Sequence, residues 1–134
     1  MNLPGRRLRR ALRDDGGALT LSYVVILPVV FLFLMSVLQA SFWFLARNAA
    51  LAAARQGVEA ARALGSSDAN GHAAAVAFAH RVGSGYLLDP SAMVRTLGGA
   101  TVSVTVSGHV PSFVPGLPLE VSETVQAPVE VFQP

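Results

Sequence analysis

The pattern of apolar positions begins with one long uncharged run. No residue from Gly16 to Ala46 is charged, which makes 31 consecutive positions. About 20 helical residues are enough to cross the roughly 30 Å hydrocarbon layer of a bilayer. Tyr23 and Trp43 stand near the two ends of the run, where interfacial aromatic residues are common. The pattern therefore predicts a transmembrane helix.

Two other interpretations of this run fit less well. A cleaved secretory signal has an apolar region of about 7–15 residues, which is much shorter than this run. A buried helix of a soluble protein would need a larger surrounding domain than the rest of this chain provides. Pro28 lies inside the run and removes one backbone donor, so a kink or local loosening is expected near residues 24–28.

A helical pattern continues beyond Trp43 through an alanine-rich segment, residues 44–65. The charged residues of this segment fall roughly along one stripe, opposite a surface of small side chains. That surface consists of Ala49, Ala50, Ala53, Ala60 and Ala61, with Leu64 at its end. Small side chains allow another helix to approach closely, so the surface is a candidate helix-packing face. A solvated alanine-rich spacer is the alternative.

The rest of the chain changes from a helical to a strand-like period. Gly65 and the polar residues 66–71 predict a stop and a linker, followed by a short helix at 72–82. Residues 101–107 and 119–132 then alternate with period two, which predicts two antiparallel strands around a Pro-rich loop. The strand positions expected on one apolar face are Val102, Val104, Val106, Leu119, Val121, Val125, Ala127, Val129 and Val131, interrupted by Glu123. Pro128 would suit an edge strand.

The charge of the chain is asymmetric about the apolar run. Residues 1–15 contain five Arg and two Asp, whereas the chain from Arg47 onward contains five Arg and six acidic residues. An Arg-rich flank of a membrane segment is retained in the cytoplasm, so the remainder should lie outside. Nucleic-acid binding by the basic end is the weaker interpretation, because a basic flank beside a membrane segment sets topology.

The residues that carry chemistry form no recognisable site. The chain has no Cys, and its three His, His72, His80 and His109, have no third ligand at a suitable spacing. A nucleophile elbow and a phosphate-binding loop are also missing from the sequence. We therefore expect no enzyme activity, no metal, no cofactor and no small-molecule substrate. A membrane-tethered enzyme is the least favoured alternative.

The order of these features resembles a known family. Gly17 precedes an apolar helix with Tyr23 at its sixth position and Pro28 soon after. The alanine-rich run follows, from Asn48-Ala49-Ala50 through Ala53-Ala54-Arg55-Gln56-Gly57 to Ala60-Ala61, and then the strand, Pro-rich loop and strand. Over about residues 13–131 this order resembles the type IV pilin-like class, and within it the TadE-like pseudopilins of tight-adherence (Flp-type) pilus systems.

The resemblance implies a processed membrane protein that assembles with other subunits. A prepilin peptidase would cut after Gly17 and leave Ala18 as the new N-terminus. Residues 1–17 would be a basic cytoplasmic leader, residues 18–46 the transmembrane helix, and residues 47–134 an extracytoplasmic helix with a small β domain. The expected fold is membrane-anchored α+β, and the expected partners are the membrane, other pilin-like subunits, pilus assembly proteins and the peptidase.

One residue departs from the family pattern. The family usually has Glu at the fifth position after the cut, and here that position is Ser22. The Glu is expected to pair with the α-amine of an adjacent subunit, whereas Ser offers only a neutral hydrogen bond. This departure leads to the hypothesis of a minor or specialised pseudopilin, not the major repeating subunit. The alternative is an uncleaved membrane anchor whose outer domain binds partners of a secretion machine.

Overall fold

The structure is a computed structural model that describes residues 5–63 and 65–129, without the side chains of residues 5–19. Its elements, in chain order, are α1 (Gly5–Arg62), α2 (Asp68–Val82), β1 (Leu88–Leu97), β2 (Thr101–Val110) and β3 (Leu119–Pro128). The chain divides into two compact units, residues 1–38 and residues 39–134, called here the anchor and the head. The predicted combination of a long apolar helix, a short helix and an antiparallel sheet is confirmed.

The anchor consists of the first part of α1. Apart from Met35, which is partly exposed, its described large apolar side chains are exposed, from 42% at Leu38 to 72% at Leu27. The helix continues through Pro28, so the proline does not end it. Whether the axis bends near residues 24–28 stays a prediction.

The second helix begins earlier than the sequence predicts. Ser67 is its N-cap, and its side chain accepts a hydrogen bond from the Asn70 N–H. Asp68 places a negative charge in the first turn, where the helix dipole favours it, and accepts a hydrogen bond from Thr96 Oγ1 of β1 at 3.0 Å. The prediction of a linker through residue 71 is therefore wrong, because capping and a tertiary contact fold its second half into α2.

The sheet has three strands where the sequence predicted two. Its order is β1-β2-β3, with both pairs antiparallel, so β1 and β3 are the edges. The strand β1 was missed because its sequence, LDPSAMVRTL, lacks apolar alternation: Met93 and Leu97 are exposed, and Pro90 breaks the pattern. The predicted position of Pro128 on an edge strand is confirmed.

The apolar faces predicted for the other two strands are confirmed within the described residues. Val102, Val104 and Val106 are buried on β2, and alternate residues of β3 from Leu119 to Ala127 are the more buried ones. Val129 is also partly buried, whereas Val131 lies outside the described residues. The register places Val104 between Val94 of β1 and Val125 of β3, which makes a continuous apolar surface across the sheet.

The core of the head is built mainly from small side chains. The largest fully buried ones are Val58, Val104 and Val106. A Cβ atom added at Gly57 of α1 would lie 2.8 Å from the Ala75 Cβ of α2 and 3.0 Å from the Val104 Cγ1 of β2. Gly57 is therefore the point where α1, α2 and the sheet converge, and the missing side chain permits that contact.

Replacing Gly57 with Val should destabilise the head. The added methyl groups would overlap Ala75 and Val104, and overpacking of this kind costs about 1–3 kcal/mol. The matched control is Gln56→Val, which introduces the same β-branched residue at an exposed position of the same helix. Thermal unfolding of the full chain in detergent, followed by circular dichroism, measures both. Equal midpoints for the two variants would contradict the packing described for Gly57.

Candidate membrane anchor and assembly surface

The anchor has the length and composition of a membrane span. Thr20 to Leu38 is 19 residues, of which 13 are Leu, Ile, Val or Phe, and at 1.5 Å per residue it extends about 28 Å. Side chains of these types favour membrane insertion by roughly 0.3–0.6 kcal/mol each at the helix centre, or about 4–8 kcal/mol together. Within the described residues, α1 is the one helix long and apolar enough to cross a membrane. These properties support single-pass membrane anchoring.

The polar side chains of the anchor are few, and their cost is limited. The Ser36 hydroxyl donates to the Leu32 carbonyl at 2.8 Å, so its hydrogen bond is made within the helix. Ser22 and Tyr23, the two residues predicted to set the context for processing and assembly, are both exposed on α1. Neither therefore belongs to the core of the head, and both face whatever surrounds the anchor.

The predicted cut lies within the helix. The backbone of Gly17 and Ala18 is helical, and the side chain of Ala18 lies outside the described residues. Gly16 and Gly17 are adjacent, and each weakens a helix interior by about 1 kcal/mol relative to Ala. The helix is therefore weakened at this pair, where a peptidase would need local opening to reach the peptide bond. Ser22 follows Ala18 by four residues and so shares a helix face with it.

The alanine face predicted for helix packing is covered by the chain's own head. Ala49, Ala50, Ala53 and Ala61 are buried, and Ala60 is partly buried. Ala49, Ala50, Ala53 and Ala61 belong to one apolar cluster with residues of α2 and β2, and Leu64 lies outside the described residues. The face is thus not a solvated spacer, and another subunit could reach it only if the head opened. The exposed surface of α1 that remains for contacts with lipid or other subunits lies mainly before Ala46.

A polar contact at the start of the head joins α1 to the loop between β2 and β3. Gln39 Nε2 donates to the Pro111 carbonyl at 3.0 Å, and Gln39 Oε1 accepts from the Phe113 N–H at 2.9 Å. The rings of Phe42 and Phe113 meet edge to face, with centroids 5.4 Å apart. We call these four residues the boundary clamp. The sequence gives no signal for this role of Gln39, because its partners are more than 70 residues away.

A second link joins α1 to β3 two turns further along. Arg47 Nε donates to Glu123 Oε1 at 2.6 Å, and the Arg47 guanidinium lies 5.6 Å from the centre of the Trp43 ring. This contact explains why Glu123 interrupts the apolar face of β3, since its carboxylate meets the first charged residue after the apolar run. Because Arg47 is half exposed, the ion pair contributes at most about 1 kcal/mol. Its main effect is to fix the side of β3 that α1 covers.

One ion pair forms within the predicted stripe of charges on α1. Arg62 donates to Glu59 Oε2 through both Nε and Nη2, at 2.9 and 2.7 Å.

The three histidines lie apart from this stripe. His72 and His80 are exposed, and His109 Nδ1 lies 3.4 Å from Glu120 Oε1. In the described part of the chain, no group of three His, Cys, Asp or Glu residues could hold a metal ion. The expected absence of enzyme activity and cofactors stays a prediction.

Comparison with known proteins supports the resemblance seen in the sequence. A protein-family model described as TadE-like protein matches residues 17–59, from the predicted cleavage site to the alanine-rich part of α1. The match confirms the TadE-like resemblance over this segment, which is about a third of the chain. No curated protein and no solved structure matches the chain.

Replacing Gln39 with Leu should release the loop between β2 and β3. The variant loses the acceptor of the Phe113 N–H, and a net hydrogen-bond contribution of about 1 kcal/mol corresponds to roughly fivefold faster amide exchange. The control is Ser36→Leu, which removes a hydroxyl from the same helix where its bond is local. Hydrogen–deuterium exchange of the full chain in lipid nanodiscs measures the rate at residues 111–118. Unchanged exchange in Gln39→Leu would show that the clamp does not hold the loop.

Proposed function

We propose that this chain is a minor TadE-like pseudopilin, a single-pass membrane structural component of a tight-adherence pilus or a related secretion system. The observation that carries the proposal is the coincidence of two features. The TadE-like match spans residues 17–59, and the described part of that stretch before Ala46 exposes an apolar surface suited to a bilayer or to neighbouring helices.

The proposed orientation places the N-terminus in the cytoplasm and the head outside. It rests on the net charge of +3 of residues 1–15, which directly precede the uncharged run, against a net negative charge from Arg47 onward. The head carries no Cys, so its folding would not depend on the redox state of the outer compartment.

Cleavage after Gly17 by a prepilin peptidase would convert the anchor into an assembly element. It would remove all five N-terminal Arg together with Asp14 and Asp15, and leave no charged side chain before Arg47. The helix could then exchange lipid for the apolar surfaces of other pilin-like subunits. The glycine pair at the cut and the start of the family match at Gly17 both support this position.

Ser22 supports a minor place in the assembly. After cleavage, the charged α-amine of Ala18 would enter a packed apolar surface without the carboxylate that the family usually supplies four residues later. An unpaired charge removed from water costs several kcal/mol. Incorporation is then favourable chiefly where a different subunit supplies the acid, which keeps the stoichiometry low. Pilus assembly proteins and other pilin-like subunits are the proposed partners.

The second candidate is an uncleaved membrane anchor whose head binds partners of a secretion machine. Ser22 in place of Glu favours it, because the residue most tied to filament assembly is then missing. In this case the Arg-rich leader would remain attached and keep the helix in the bilayer.

The N-terminus of the mature chain distinguishes the two candidates. Mass spectrometry of membranes and sheared pili should find a chain that starts at Ala18 and is scarce in pili relative to the major subunit. The Ser22→Glu variant should enter pili in greater amount, because it restores the carboxylate. Ser22→Gln is the control, because Gln has nearly the shape of Glu but no charge, and this variant should behave like the natural chain.

Each result decides between the candidates. A chain that begins at Met1 or Asn2 in membranes would establish the uncleaved anchor. A chain that begins at Ala18, with equal incorporation of Ser22→Glu and Ser22→Gln, would retain the pseudopilin and overturn the electrostatic reason for its low stoichiometry.

A further inference from the structure

We propose that the loop between β2 and β3, residues 111–118, inserts into the membrane surface beside the span and gives the head a second lipid contact. This loop is called here the membrane loop. The inference rests on the proposed membrane anchoring and goes beyond it, because a single-pass anchor by itself requires no lipid contact from the head.

The first observation is the composition and exposure of the membrane loop. Phe113, Val114 and Leu117 are 47%, 50% and 46% exposed, although they lie within five consecutive residues. No Asp, Glu, Lys or Arg occurs from Val110 to Pro118. A tip that combines three large exposed apolar side chains with no charge is costly in water and suits the boundary between headgroups and acyl chains.

The second observation is where the boundary clamp holds this loop. Gln39 bonds Pro111 and Phe113 directly after the 19-residue segment 20–38, whose length matches the thickness of the hydrocarbon layer. Trp43, an aromatic residue of the interfacial kind, follows one turn later on α1. The clamp therefore holds the loop beside Gln39 and Phe42, at the point of α1 where the helix would leave the bilayer.

The third observation concerns the backbone, whose polar groups must be satisfied in a lipid environment. The three prolines of the loop, Pro111, Pro115 and Pro118, have no N–H to satisfy. The N–H of Phe113 donates to Gln39, that of Val114 to Ser112 Oγ, and that of Leu117 to the Val114 carbonyl. Most donors of the loop are thus absent or already bonded, which lowers the cost of leaving water.

Lipid is the occupant that these observations favour over a protein surface. The loop offers no charged group to orient a protein partner, and the boundary clamp holds it beside Gln39, the first residue after the apolar segment 20–38. With the loop inserted, the head would touch the membrane at two points, the helix and the loop. Its orientation relative to the bilayer would then be restricted rather than free about the helix end.

The test uses quenching of tryptophan fluorescence by lipids with brominated acyl chains, on the purified full chain in liposomes. The natural chain has one Trp, Trp43, which reports insertion of the span. In a Trp43→Phe background, Val114→Trp places the probe in the membrane loop without altering the Phe42–Phe113 contact. Met93→Trp is the matched control, since Met93 is equally exposed, at 53%, but lies on the edge strand β1.

We expect brominated lipids to quench the Val114→Trp chain about as strongly as the natural chain, and not to quench the Met93→Trp chain. Bromines near the headgroups should quench the loop probe more than bromines near the bilayer centre, because insertion of this kind is about 5–10 Å deep.

Quenching in the natural chain without quenching in Val114→Trp would overturn the inference and leave the anchor intact. A blue-shifted but unquenched loop probe would overturn it in favour of a protein contact. Equal quenching in Met93→Trp would also overturn it, and an unquenched natural chain would remove the proposed anchoring itself.

Discussion

The exposed apolar surface of α1 is the constraint on which the rest of the structure depends. From Leu21 to Leu38 most of its large apolar side chains are 42–72% exposed, and lipid or neighbouring helices would cover this surface. The surface ends where the head begins, and the links between α1 and the rest of the head start there. Gln39 binds the loop between β2 and β3, and Arg47 binds Glu123. The contacts of α1 with the loop and with β3 therefore begin where the exposed apolar surface of α1 ends.

The head must also form a core around the second part of α1, because the first part of that helix is the candidate membrane span. The elements of the head pack through short distances between helices and sheet and not through large side chains. Gly57 has no side chain, so Ala75 and Val104 can lie close to α1, and the cluster around it is rich in alanine. Such a core buries little apolar area per residue, and small domains of this kind are marginally stable. The contacts of α1 with the sheet and loop thus matter to the stability of the head as well as to its position.

Sequence patterns predicted the parts of this fold that depend on local periodicity. The long uncharged run, the alanine face of α1 and the alternation of β2 and β3 all follow from spacing along one element. The start of α2 and the strand β1 did not, because Asp68 is stabilised by Thr96 and β1 by its pairing with β2, across the fold. Gln39 was missed for the same reason. Its role depends on a loop brought near by the sheet, which spacing along α1 does not reveal.

The most direct test of the account is the side of the membrane on which the head lies. Because the chain has no Cys, Met93→Cys introduces a single exposed thiol on β1. Spheroplasts treated with a membrane-impermeant maleimide should label this thiol before lysis, and lysis should add little further labelling. Labelling that appears only after lysis would place the head in the cytoplasm and contradict the account, since neither cleavage after Gly17 nor assembly outside the cell could then follow as proposed.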